Sequence, residues 1–184
     1  MKVTLQEAQT CLSRQHLTYD RKGDEHFHCI SALQKSIRGS DPNAAIYWTM
    51  RMFEAGEDPL FIARRLVRIA GEDVGLADTK ALNLAVSTMQ GCQLIGRPEC
   101  NVLLAECAIY LAKAPKSHET YHAMNKAIEH IRNAPNVPSV PLHLRNATSK
   151  LSREAGYGAG YTAKLDQVQN IQYMPEGMES VKFL

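Results

Sequence analysis

The stretch Glu54-Ala-Gly-Glu-Asp-Pro-Leu-Phe-Ile-Ala-Arg-Arg-Leu-Val-Arg-Ile-Ala-Gly-Glu-Asp-Val-Gly-Leu-Ala-Asp78 constrains the chain more than any other. Asp58 offers a carboxylate to the first free N–H groups of a helix, and Pro59 follows where a missing N–H costs nothing. Gly75 stands where a left-handed C-terminal cap is expected, and Asp78 is placed to cap the next helix. At about 100° per residue, Arg64, Arg65, Arg68 and Glu72 share one sector, and Leu60, Phe61, Ile62, Leu66, Val67, Ile69 and Ala70 cover most of the rest. Such a helix belongs at the centre of a bundle with one polar stripe. Asp73 lies roughly opposite that stripe, so its carboxylate needs a partner inside the fold.

The neighbouring segments repeat this grammar. Residues 1–16 read as a short helix with Thr4 and Glu7 as a capping box, and 18–24 as a polar loop or linker. A helix over 24–38 carries Phe27, Ile30, Leu33 and Ile37 on one face, with Gly39 as its stop. Asp41-Pro42 opens another, carrying Ala45, Trp48 and Met52 and ending near Gly56. Residues 78–95 form an amphipathic helix closing at Gly96. Pro98 starts the next, with Val102, Leu103, Cys107, Tyr110 and Leu111 inward. Ser117 caps a helix through Ile131. Pro135, Pro138 and Pro141 then preclude a continuous helix, leaving a short one over 146–155 and an irregular tail. Nothing alternates as a strand would. The chain reads as all-α, a multi-helix bundle.

The 184 residues suffice for one well-buried domain with a small appendage. Twenty-one Lys+Arg against 19 Asp+Glu is too even a balance to argue for nucleic acid. The five cysteines (Cys11, Cys29, Cys92, Cys100, Cys107) are odd in number and form no Cys-x-x-Cys pair, which points to a reduced, intracellular chain. No apolar run reaches the roughly 20 residues of a membrane span.

No P-loop occurs, and Gly156-Tyr-Gly-Ala-Gly lacks the preceding strand and the Lys-Ser/Thr of one, so it reads as a turn. His26 and His28 point about 200° apart on a helix and cannot share an ion, so both read as exposed polar groups. No nucleophile stands in a catalytic context. The Arg64, Arg65, Arg68 stripe reads as a solvated face in which Arg68 pairs with Glu72, or else as a DNA-contact strip aided by Arg97, Lys113 and Lys116. Asp58 and Asp73 read as a cap and a satisfied core carboxylate. Several helices are apolar over more than one face, which implies burial against another subunit.

Several blocks carry a family resemblance. Tyr19-Asp-Arg-Lys-Gly-Asp-Glu-His26, then Ile30-Ser-Ala-Leu-Gln-Lys-Ser-Ile-Arg-Gly-Ser-Asp-Pro42, resembles the C-terminal region of the RarA/MgsA family of AAA+ ATPases. That family includes the eukaryotic Werner-helicase-interacting ATPase. The 55–68 and 70–78 blocks are similar to its pattern, as are Ala114-Pro-Lys-Ser117, Val140-Pro-Leu-His-Leu-Arg-Asn-Ala147, Gly156-Tyr-Gly158 and Tyr173-Met-Pro-Glu176. The chain departs from it at Gln34, commonly His, and after Gly158, where Ala159 replaces the usual Lys.

The resemblance implies a clamp-loader-like collar that holds subunits together as a homotetramer, from a DNA-dependent ATPase acting at stalled or damaged forks. It implies a fragment without the motor, hence no catalytic or metal residue and no cofactor; ATP and Mg would belong to the missing motor. DNA and replication proteins would be partners of the full-length parent, located in the cytoplasm or nucleoid of a bacterium or the nucleus of a eukaryote. Residues 1–18 would be the remnant of the ATPase lid, 19–134 the oligomerisation core, and 135–184 a Pro/Gly-rich segment, short helix and tail packed on it. Structural roles fall on the motif positions Arg38, Gly39, Asp41, Pro42, Asp58, Pro59, Asp73, Asp78, Pro115 and Arg145. The alternative is a helical module of the same ATPase that binds nucleic acid or a partner protein.

Overall fold

Proline and aspartate punctuate the chain into helices. The computed structural model describes residues 24–164 and 166–184. The helix expected over 1–16, Cys11 and the segment 1–18 lie outside the described residues. Seven α-helices and no strand occur among the described residues: α1 (Asp24–Arg38), α2 (Pro42–Glu54), α3 (Pro59–Ile69), α4 (Lys80–Ile95), α5 (Asn101–Lys113), α6 (Glu119–Asn133) and α7 (Lys150–Glu154). The chain divides into two compact units, Met1–Tyr121 and His122–Leu184.

Two Asp-Pro starts work as local chemistry dictates. Asp41 accepts from the amides of Asn43 and Ala44, and Asp58 from that of Leu60, each ahead of a proline in the first turn. Asp78 accepts from the Lys80 amide at 3.0 Å. At the end of α1 the left-handed residue is Ser40, φ 58°, one position beyond the glycine that marked the stop in the sequence.

Five helices build the core of the first unit. Ile62, Ala63, Leu66 and Ile69 of α3 are buried while Arg64, Arg65 and Arg68 face solvent. α3 shares the centre with α5, which packs against α1, α2, α3 and α4 and does so more extensively. The residues α5 buries are Leu104, Cys107, Ala108, Leu111 and Ala112. Small side chains recur on α4 as well, where Ala81, Ala85, Thr88 and Cys92 turn inward. Short side chains let helix axes approach closely. The extreme is Gly91, where an added Cβ would lie 2.5 Å from Leu103 Cδ1.

Some expected core positions are not core. Phe27 of α1 is 63% exposed and Val102 of α5 63% exposed. Pro98, behind a cis peptide bond, lies within a turn over 97–100, and α5 begins at Asn101, three residues later than the sequence suggested. The short helix expected over 146–155 is confined to α7, which opens with a capping box between Ser149 and Ser152. In the second unit, as described, α6 carries no buried residue.

Cys29, Cys92, Cys100 and Cys107 are free thiols and all buried. Burial, with Cys100 beside it, pushes the Cys92 thiol up to about 12, and burial does the same to Cys107. A thiol raised in the folded state favours folding below its unfolded value near 9, and that contribution is withdrawn as pH rises from there toward 12. These four thiols are therefore expected to resist a thiol-specific reagent in native protein at pH 8 and to react on unfolding in urea. Modification of Cys107 in native protein at a rate near that of the unfolded chain would contradict the packing.

Candidate functional site

The turn that follows α3 concentrates buried charge. Rather than stopping, the helix widens into a π turn over Ala70–Val74 and then a 3-10 turn over Gly75–Ala77. The wide turn was not foreseen in the sequence; such turns insert a residue into the helical register. It presents Glu72 and Asp73 together toward α1. The Asp73 side chain is fully buried, while that of Glu72 is 13% exposed.

An isolated carboxylate at that depth would be untenable, and its partners come from far along the chain. Arg38 Nε donates to Asp73 Oδ1 at 2.5 Å, Gln34 Nε2 donates to Oδ2 at 3.2 Å, and His118 Nε2 lies 3.0 Å from Oδ1. The backbone of Ser117 donates to the Asp73 carbonyl at 3.0 Å. Glu72 accepts from Gln34 at 3.2 Å, from Arg38 at 3.3 Å and from Arg68 at 2.8 Å. Asp73 holds the Arg38 guanidinium more firmly in its charged form. One pair of adjacent acids therefore ties α1, α3 and the loop that precedes α6.

The loop reaches this turn because residue 75 has no side chain. Gly75 takes φ 53°, and a Cβ there would lie 2.9 Å from the Ser117 carbonyl. Lys116 anchors the same loop by donating to the carbonyls of Ala112 and Ala114 and to Ser40 Oγ. Burial draws its pKa down, against the pull of Asp73. Asp78 has a second role beyond capping: Tyr110 donates to its Oδ2 at 2.7 Å. Asp78, Tyr110, Lys113 and the exposed Pro115 border a mainly apolar groove of about 580 Å³.

The arginine stripe is exposed and largely committed. Arg64 lies 3.5 Å from Asp58 and, with Arg65, over the Phe61 ring. Arg68 pairs with Glu72 and sits over Tyr121. Arg97 does not join it as a free charge: its guanidinium stacks 3.9 Å above Phe53 and donates to the Phe53 carbonyl. Arg38, Gly39, Asp41, Pro42, Asp58 and Pro59 all lie at helix junctions or pairings already described. Arg145 lies in the second unit, donating to Val140 O at 2.7 Å and stacking on Tyr157.

Sequence reasoning treated His26 as exposed, and the structure corrects this. Its side chain is 12% exposed, lies 2.6 Å from the buried carboxylate of Glu57 and stacks on Phe61. His28 is exposed. Among the described residues no cluster of three or more His, Cys, Asp or Glu side chains is arranged to hold a metal ion. No described helix is long and apolar enough to cross a membrane. Gln34 and His118 went unsuspected as partners of Asp73, since each lies about 40 residues from it and no local pattern links them.

Comparisons agree with this architecture. Residues 39–184 match the family described as MgsA AAA+ ATPase C terminal, and residues 1–38 match AAA C-terminal domain. ATPase WRNIP1 of Dictyostelium discoideum is 45% identical over 185 residues, covering 98% of this chain and 21% of that protein. Replication-associated recombination protein A of Escherichia coli K12 is 45% identical over 149 residues, covering 81% of this chain and 33% of that protein. The Bacillus subtilis protein of the same name is 42% identical over 159 residues, covering 86% and 37%. The chain thus spans between 21% and 37% of the length of these three relatives.

Replacing Asp73 with alanine removes the acceptor that Arg38, Gln34 and His118 share and leaves Arg38 and Gln34 with Glu72. It is expected to cost about 1.5–3 kcal/mol in urea unfolding, below the range for a fully buried charge pair because the Arg38 side chain is 43% exposed. A loss under about 1 kcal/mol would mean that the network is incidental.

Proposed function

Because the chain belongs to the MgsA AAA+ ATPase C-terminal family, we propose that it is the non-catalytic assembly domain of a replication-associated AAA+ ATPase, joining copies as a tetramer. The parent would act in DNA replication, recombination and repair at stalled forks, its ATPase chemistry residing in a motor domain that binds ATP and Mg. The observation that carries this reading is the match of residues 39–184 to a C-terminal family of AAA+ ATPases. Relatives named for replication-associated recombination support the cellular setting.

Exposed apolar side chains support the assembly role. On α6, Met124, Ile128 and Ile131 are 43%, 37% and 55% exposed and spaced i, i+4, i+7, the pattern of a helix seam. In the first unit Leu94, Ile95 and Val102 cluster around the α4–α5 turn in sequence and are all exposed. Apolar groups left in water in such number favour a subunit contact.

The second reading, DNA contact through Arg64, Arg65 and Arg68, has less support. Arg64 and Arg68 each face an acid, which lowers the positive potential that would attract phosphate. Arg68→Glu with steep loss of DNA binding and intact assembly would favour it.

Light scattering on a sizing column, over a concentration series of the 184-residue chain, tests the leading reading. The expected mass is four times 20.5 kDa. Ile128→Glu together with Ile131→Glu is expected to lower that mass without loss of helical signal. A wild-type monomer at every concentration would contradict assembly through this chain alone.

A further inference from the structure

The second unit contains a cleft that the assembly role does not use. Its walls are the segment 143–147, the glycine turn at Gly158 and two tyrosines, Tyr161 and Tyr173, each 48% exposed. The volume is about 350 Å³. His143, Arg145 and Asn146 supply its polar groups, and no carboxylate lines it.

The cleft is built rather than accidental. Tyr173 is fixed at its far end, where the hydroxyl donates to Val168 O at 3.0 Å. His143 Nε2 lies 2.7 Å from Gln172 O, which sets the imidazole plane and leaves Nδ1 on the other edge. Arg145 is held by Val140 O through Nε and by the Tyr157 hydroxyl through Nη1 at 3.3 Å. Among the described residues Nη2 has no partner, so one donor of a fixed guanidinium stays available. The turn carrying Tyr161 is pinned by the Gly158 amide, which donates to Leu142 O at 2.9 Å. Gly158 takes φ 75°, and a Cβ there would lie 3.5 Å from Arg145 O. The acids Glu176 and Glu179 line the adjacent groove instead.

We infer that this cleft binds an unpaired nucleobase with its phosphate, the base against Tyr161 and Tyr173 and the phosphate toward the free Nη2 of Arg145. Half-exposed aromatic side chains beside a fixed guanidinium donor, with no competing carboxylate, are the requirements for holding single-stranded nucleic acid. Every base has a π-face, so the site is sequence-tolerant; the amide of Asn146 and Nδ1 of His143 join the tyrosine hydroxyls as hydrogen-bonding groups for the base edge. The chemistry differs from a P-loop, because aromatic rings rather than backbone amides supply the contact. It is also independent of assembly through α6, so failure of either leaves the other standing.

Fluorescence anisotropy with labelled (dA)12 and (dT)12, read at low salt on the full 184-residue chain, tests this. A duplex of equal length and AMP as competitor form the other arms. The wild-type chain is expected to bind the single strands more tightly than the duplex. Tyr161→Ala with Tyr173→Ala is expected to weaken binding by about 10- to 100-fold, while the double Phe variant, which keeps both rings, stays within about threefold. Competition by AMP at concentrations comparable to the oligonucleotide would assign the same site to free nucleotides; competition by strands alone would assign it to polynucleotide. The inference is overturned if neither strands nor AMP bind, if the duplex binds equally well, or if the double Ala variant binds like wild type. It is also overturned if the double Phe variant, folded by circular dichroism, loses as much as the double Ala variant.

Discussion

A carboxylate with no exposure to solvent must be neutralised by the protein itself, and the first unit is arranged around doing so at Asp73. The wide turn after α3 places Asp73 and Glu72 side by side; Arg38 and Gln34 reach them from α1, and His118 from the loop before α6. Each partner comes from a segment that helix propensity alone would leave free to shift. Buried ion pairs contribute little net stability against an apolar alternative, and what they add is geometry. Here the geometry is the angle between α1 and α3 and the docking of a loop whose approach depends on Gly75.

Around that polar centre the packing relies on small residues. α4 and α5 meet through alanines, cysteines and Gly91, and α5 packs against α1, α2, α3 and α4. Long aliphatic side chains fill the rest of the core, among them Leu33, Ile37, Ile62, Leu66, Leu104 and Leu111, yet others of the same kind stay in water. Leu94, Ile95 and Val102 are exposed at one turn, and Met124, Ile128 and Ile131 along α6. Inside, leucines and isoleucines of α1, α3 and α5 pack beside these small residues and the paired charges, so the exposed aliphatic groups are a second set that the buried core does not use.

What could be read from the sequence was what local chemistry decides. Asp41-Pro42 and Asp58-Pro59 announced their helices because a cap and its proline act within four residues. The Arg68–Glu72 pair was legible for the same reason, and the need for a partner at Asp73 followed from its place on the helix. Which partner was not legible, since Gln34, Arg38 and His118 are brought in by folding. Phe27 and Val102 misled because apolar spacing marks a face without saying what covers it. α5 was underrated because alanine and cysteine give a weak periodic signal. His26 was taken as exposed because its partner Glu57 lies 31 residues away. The family blocks identified the chain's kinship without revealing any of these contacts.

The central claim is that the Arg38–Asp73 contact couples α1 to the turn after α3. A double-mutant cycle measures that coupling directly, using Arg38→Ala, Asp73→Ala and the pair, each unfolded in urea at one protein concentration. The account predicts a coupling of about 1.5–3 kcal/mol, the pair costing much less than the sum of its parts. Additive costs, with coupling under about 0.5 kcal/mol, would contradict it and move the organising role to the apolar contacts of α3 and α5.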